Sequence, residues 1–491
     1  MKTTKLFFMA ALALMTAACS NDDNDLTTQQ PQKAEGITIT AQLAPKTNGA
    51  TTRAVSEGTN KIVSEWAVNE HVAVLYEVSS TKYVADAEIT AVDGTTGTAT
   101  ITFTVEDGTP DNTACTLVYP YSAAKDDHTG VKDAATLLAA QDGTLSANLD
   151  VRVGEGTIYT TTPGLTVTTQ PAAQFAIWKL TLANDAKNLC IMADNITIAG
   201  ATLGTEGKEF TVAVPAVYSK TVTIVANDAS NNCYYYSKAG VSLDAGRYYR
   251  SSPTMTALDD DNSKPLYKIT ATSSVTIPDG KTVVLSGVNI SSGSITCSGN
   301  VTMILLGSNS VTTATNEKAA IKIGGSGTTL TITGSGSLTA QGGQSAAGIG
   351  TDRNGTGGNI VINGGTVTAT GGKFGAGIGT GRAQSGSSTC GDITINGGTV
   401  TATGGSNGGA GIGTGLSITS GGSNTCGAIT IGTGVTMVTA TKGSGAPNSI
   451  GNGQADFGGT QTCGTITIGG DATTYATGVT TSPFTYEPSG N

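Results

Sequence analysis

The chain has 491 residues, of which 68 are glycine, 13% are charged and 5% are aromatic, and its formal net charge is −10. An average soluble domain has ~25% charged residues and ~7% glycine, so this chain halves the first and doubles the second. From Pro265 onward seven acids oppose eight bases, so the acidity belongs to the first half. Neither half carries the basic stripe that a phosphate backbone needs, and no nucleic-acid partner is expected.

The chain opens on Lys2 and Lys5, then an apolar run at Leu6–Met15 that is too short to span a bilayer. Residues 1–18 therefore read as a signal peptide. Thr16-Ala17-Ala18-Cys19 resembles a lipoprotein cleavage site, with Thr16 where that motif usually has Leu. The resemblance implies lipidation of Cys19, whose several acyl chains make a stable anchor. The alternative is an ordinary secretory cut near Ala18. Ser20-Asn21-Asp22-Asp23-Asn24-Asp25 follows. It resembles the acidic tag that sends such lipoproteins to the outer face of the outer membrane, and it equally suits a solvated tether over 19–36.

Residues 37–257 alternate apolar and polar residues between turn signals. Strands are predicted at Ile37–Leu43, His71–Val78, Thr98–Glu106, Cys115–Tyr121, Phe175–Ala183, Phe210–Pro215 and Lys220–Asp228. The best helical period, around Ala134–Ala140, is short. The pattern predicts antiparallel sandwich units, divided into two subdomains at the turn Thr162-Pro163-Gly164. Residues 258–265, with three acids and a terminal Pro265, read as a linker.

Over 266–491 the text repeats itself. "NGGTVTATGG" occurs at Asn363–Gly372 and Asn396–Gly405, and "GAGIGTG" at Gly375–Gly381 and Gly409–Gly415. Ile332, Ile362, Ile395 and Ile431 align, with degenerate copies at Thr282–Ile290 and Val301–Val311. A strand of three to five residues cannot bury its apolar side alone, but coils stacked at ~4.8 Å bury it against one another. The prediction is a parallel β-solenoid, right-handed by the general preference. Ile349, Ile378, Ile412 and Ile450 should form an inward ladder, and Asn363 with Asn396 an amide ladder at one corner. Alternation sends Thr366, Thr368, Thr370, Thr399, Thr401 and Thr403 outward. These six form the candidate ligand face, with the next rung interrupted at Met437-Val438.

The first half resembles the fimbrillin family through "TTRAV" (Thr51–Val55), "EWAVNEHVAVL" (Glu65–Leu75), "LVYPYSA" (Leu117–Ala123) and "LDAGRYYRSSPTMT" (Leu243–Thr256). The resemblance implies a lipidated precursor that an Arg-specific protease trims between Arg53 and Ala54, so that a neighbour's strand fills the vacated groove. Arg53 also suits an ordinary loop cation. The second half looks like bacterial carbohydrate-binding β-helix domains, through "GSGSLTAQGG" (Gly334–Gly343) and "AAGIG" (Ala346–Gly350). Shell fimbrillins end in a donor strand, whereas this chain runs on into the repeat, which favours a tip or stand-alone role. The implied function is adhesion from the outer membrane or a fimbrium, with fimbrial subunits and a glycan or host surface as partners. Glycan capture for nutrition is the alternative.

Catalytic signatures are absent. The two histidines, His71 and His128, stand apart, and no phosphate-loop, nucleophile-elbow or zinc-protease motif occurs. A polysaccharide-cleaving β-helix would need clustered carboxylates. Asp352, Arg353, Arg382 and Asp392 come nearest and read better as isolated surface charge. No catalytic residue, metal or cofactor is assigned. Cys390, Cys426 and Cys463 recur at steps of 36 and 37 before an Ile-Thr-Ile run, placing them in one column of successive coils.

Overall fold

The computed structural model describes residues 36–45, 56–58, 61–63, 65–132, 134–138, 141–144, 149–419 and 421–488. Their regular structure is all strand apart from a 3-10 turn at Tyr121–Ala123 and one helical turn at Ala134–Leu138.

Two antiparallel sheets come first. The first runs in the spatial order Ile37–Leu43, Ala99–Val105, Thr81–Val92, His71–Val78, Thr113–Tyr119, Arg152–Tyr159 and Gly164–Ala173. Its period-two alternation puts Ile39, Val74, Ile101 and Leu117 into one core. The sheet curls until its two outer strands meet, and Gln170 Oε1 accepts from the Ala44 amide at 3.1 Å. Tyr159 pairs directly with Gly164. The Thr162-Pro163-Gly164 break therefore closes a hairpin inside this sheet and divides nothing. Pro-Gly marks a turn, and a turn serves a hairpin as readily as a boundary. The change of sheet comes between Ala173 and Ala176, where the long strand Ala176–Ala193 begins.

The second sheet orders Ile196–Val214, Ala176–Ala193, Val217–Asn227, Cys233–Leu243 and Thr256–Leu258, with Tyr248–Ser251 parallel to the start of Ala176–Ala193. Leu180, Ile191, Phe210 and Ile224 fill its core. A separate cluster, including Leu75, Val118, Phe175 and Ile177, joins the two sheets.

From Leu266 the chain winds into stacked parallel coils. One inward column runs Tyr267, Val283, Met303, Ile332, Ile362, Ile395, Ile431 and Ile468, each in register with the next. The four isoleucines aligned from the sequence sit within it. A second column stacks Ile295, Ile321, Ile349, Ile378, Ile412 and Ile450, all fully buried. Each such side chain contributes ~1.5–3 kcal/mol by burial. The glycine after each of the last four isoleucines is required: Gly350, Gly379, Gly413 and Gly451 have φ between +119° and +145°. A Cβ on Gly350 would stand 1.8 Å from the Gly379 carbonyl oxygen. The coils lengthen along the stack, from 16 residues between Tyr267 and Val283 to 37 between Ile431 and Ile468. The later coils gain a further side, built from Ser387–Cys390, Ser423–Cys426 and Thr460–Cys463.

The second sheet and the first coils share a core. Val284, Ile304 and Leu306 point outward from their coils and pack on Cys190, Met192 and Val225. Polar contacts ring this patch. Thr197 Oγ1 lies 2.8 Å from Thr333 Oγ1 and accepts from the Gly334 amide at 2.8 Å; Asn227 Nδ2 donates to Ser286 Oγ at 2.8 Å. The stretch 258–265 is a structured turn in which Lys264 pairs with Asp259 and the Lys268 amide bonds the Asp259 carbonyl.

The stacked column sets an expectation for Ile412. Its replacement by Asp buries an unpaired carboxylate between coils and should cost several kcal/mol, whereas Ile412→Val should cost ~0.5–1.5 kcal/mol. Urea unfolding reads the difference, and limited proteolysis should place the new cuts within 404–426. A proteolytic pattern identical to the parent's would contradict the stacking.

Candidate ligand face and its surroundings

The six threonines of the candidate face lie where alternation puts them, on the outer side of Asn359–Thr370 and Ile393–Thr403, with Val367, Ala369, Val400 and Ala402 buried beneath. They are the centre of a larger array. The middle column reads Ser310, Thr339, Thr368, Thr401, Thr439. On one side runs Ser308, Ser337, Thr366, Thr399, Met437, and on the other Thr312, Gln341, Thr370, Thr403, Thr441. The interruption expected at Met437-Val438 is a local bulge. Gly398 pairs with Val435 but Thr399 with Met437, which turns Val438 inward over Val400 and leaves Thr439 and Thr441 outward. Only Gln341 and Met437 depart from hydroxyl chemistry. The face is uncharged, since like charges in register would repel across ~4.8 Å. Phe484–Tyr486 pairs antiparallel with Val435–Thr441 and covers the last edge.

Amide ladders bind the corners. Asn396 Nδ2 donates to Asn363 Oδ1 at 3.0 Å. At another corner each side chain accepts from the backbone one coil on: Asn359 Oδ1 from the Asp392 amide at 2.9 Å, and Asp392 Oδ1 from the Ala428 amide at 2.8 Å. Inside the coils lies a polar column that periodicity did not disclose. Thr351, Thr380 and Thr414 are buried and accept from the amides of Gly381, Gly415 and Gly453. They meet Ser388, Asn424 and Gln461 respectively. The threonine that follows each "GIG", at Thr351, Thr380 and Thr414, is the signal that could have found them.

The charged candidates are occupied by the fold. Asp352 bonds Lys318 Nζ at 2.9 Å, Lys322 Nζ at 3.1 Å and the Ala319 amide at 2.9 Å. Arg353 pairs with Glu317 at 2.9 Å. Arg382 lies over the Phe374 ring, 4.5 Å from its centroid, and burial with Arg353 nearby lowers its pKa. Asp392 caps its corner, so these four form no paired-carboxylate site. His71 bonds Asp86 at 2.7 Å on the exposed end of the first sheet, and His128 sits at a turn with φ 61°. Cys19, Arg53 and Ala54 lie outside the described residues.

Cys390, Cys426 and Cys463 stand in register on three neighbouring strands, and all three are free thiols. The Cys390 thiol beside it, with burial, pushes Cys426 well above the usual thiol range; Cys426 does the same to Cys463. Burial pushes Cys115, Cys190 and Cys297 up to about 12. Among the described residues no group of three or more His, Cys, Asp or Glu is placed to hold a metal ion.

The family described as Beta helix repeat matches residues 330–353, 360–382 and 393–416. No curated protein matches the chain. Among solved structures, a fimbrial assembly protein from Parabacteroides distasonis is 13% identical and has a TM-score of 0.26, with 44% of this chain and 90% of that chain covered. The tip fimbrial protein Mfa3 from Porphyromonas gingivalis, with C-terminal truncation, is 10% identical at a TM-score of 0.22, over 44% of this chain and 94% of that one. A fimbrial protein from Bacteroides ovatus is 11% identical at a TM-score of 0.24, over 45% and 49%.

The thiols carry a pH expectation. A thiol whose folded pKa exceeds its unfolded value of ~8.5 adds stability below that pH and loses it as pH rises toward the folded value. The urea midpoint should therefore fall between about pH 9 and 12, and native thiols should react slowly with an aromatic disulfide reagent at pH 8 until denaturant is added. Fast reaction of several thiols in the native protein would contradict their burial.

Proposed function

We propose that the protein is a cell-surface adhesin: a lipid-anchored or fimbrial base of two antiparallel sheets that displays a β-helix, with the hydroxyl array as its contact face. The observation that carries this reading is the seating of Ile37–Leu43. This strand lies upstream of Arg53, at the edge of the first sheet, and among the described residues pairs with Ala99–Val105 alone. Ile39, Ala41 and Leu43 are buried in the core. A cut between Arg53 and Ala54 would free it, opening a groove floored by Ile101, Phe103 and Val105. An extended strand from another subunit, with the same alternation, would fit there and satisfy the exposed backbone groups. The acidic stretch after Cys19 supports display on the outer face of the outer membrane. Continuation into the solenoid, where a donor strand would otherwise follow, supports a tip or accessory position over a shell subunit.

A glycan-capture reading draws on the same array, since an uncharged field of hydroxyls suits a neutral polymer. It is held second because that field has no aromatic platform among its outward residues.

The assembly reading is tested by treating the folded protein with an Arg-specific protease. Mass spectrometry should find a cut after Arg53 that Arg53→Ala abolishes. The trimmed protein should then bind a synthetic peptide of residues 37–43 that the intact protein refuses. Resistance at Arg53 while other exposed arginines are cut, or no peptide uptake after trimming, would sink it.

A further inference from the structure

The second sheet and the solenoid meet closely at the coil that carries Gly334 and Ser335. There a Cβ on Gly200 would stand 2.4 Å from Ser335 Cβ. One coil further on, Gly364 still lies against Thr197. A cleft of about 270 Å³ lies between the start of the strand Ile196–Val214 and the corners Asn363-Gly364-Gly365 and Asn396-Gly397-Gly398. The helical turn Ala134–Leu138 contributes to its wall. Drug-sized ligands take ~300–1,000 Å³, so this cleft holds a single ring or a chain end.

The lining has three properties. None of the described lining residues is charged. An anion or cation entering would lose hydration with no charged partner among these described residues, which favours a neutral ligand. One wall is apolar: Ile196 follows the tight turn Asp194-Asn195, is left 49% exposed, and stands with Pro215 along the cleft. The facing wall is polar and ordered. Because Asn396 Nδ2 donates to Asn363 Oδ1, the free groups of the pair are a donor, Asn363 Nδ2, and an acceptor, Asn396 Oδ1. Neighbouring hydroxyls on a sugar each donate and accept, so a vicinal diol satisfies both groups at once. Thr366 and Thr399 add hydroxyls at the rim, which joins the cleft to the outward array.

We propose that this cleft is a binding site for a neutral glycan, gripping a vicinal diol with the Asn363–Asn396 amide pair while Ile196 covers the apolar face of the ring. The second sheet, the helical turn Ala134–Leu138 and the solenoid build the site together, so neither half alone contains it. It would operate whether or not the protein joins a fimbrium.

The test uses the full chain without residues 1–18. Saturation-transfer NMR and calorimetry are run with lactose, N-acetyllactosamine, cellotriose, maltotriose and mannobiose, and with sialyllactose as the acidic comparison. At least one neutral sugar should bind at ~10 mM or below, and more tightly than the acidic one. Ile196→Asp changes an exposed side chain and should leave the urea midpoint near the parent's, whereas Asn396→Ala also removes the ladder bond to Asn363 and should lower it slightly. Each should weaken binding about tenfold or more, ~1.4 kcal/mol. Phe457→Ser, at an exposed side chain outside both the cleft and the array, should leave affinity unchanged. The proposal is overturned if no neutral sugar binds, if sialyllactose binds as well, or if Ile196→Asp binds like the parent. Loss of binding in Phe457→Ser would also overturn it, by moving the site away from the cleft.

Discussion

Everything in the second half depends on one constraint: each strand must pair with its own counterpart one coil above and below, at the ~4.8 Å spacing of backbone hydrogen bonds. A residue in such a column has its near-copy as neighbour. Isoleucine stacks on isoleucine without a gap, as from Ile295 to Ile450. Amides bond amides, as Asn396 does Asn363. Carboxylates survive where a backbone N–H of the next coil meets them, as at Asp392, or where two lysines do, as at Asp352. Charge is scarce because most columns offer it neither partner.

The same rule governs the junction of the two halves. Strands facing only water on their outer side would alternate. Val283-Val284-Leu285 and Met303-Ile304-Leu305-Leu306 do not: alternate members face the coil interior and the others face the second sheet. Two cores therefore share one set of strands, and the sandwich is the lateral wall of the early coils. The cleft with Ile196 lies where this contact ends.

Much of this could be read from the sequence, and the failures have definite causes. Inward ladders and the outward threonines follow from period-two alternation combined with a repeat, so Ile412 and Thr401 fall where expected. The doubled apolar runs at Val284 and Ile304 were legible as strands covered on both faces, but in a degenerate region they read as weak copies of the repeat. The turn at Pro163 is locally the same whether it joins paired strands or separate units, and only long-range pairing distinguishes the two. Met437-Val438 looked like a break because a one-residue bulge restores the register, and a bulge leaves little trace in composition. The Asn363–Asn396 corner was visible as a ladder. Its place opposite Ile196 was not, because 167 residues separate Ile196 from Asn363 and no periodicity spans both.

The two ends of the stack are bounded by different means: the sandwich packs laterally on the first coils, and Phe484–Tyr486 covers one edge of the last. Between them the coils lengthen, but from Asn359 onward successive coils repeat the same columns, as in Ile362 on Ile395 on Ile431. A coil added to or deleted from these later repeats would leave both boundaries in place and change the reach by one ~4.8 Å step. Reach is thus a parameter that recombination between near-identical segments such as Asn363–Gly372 and Asn396–Gly405 can reset without redesigning either end.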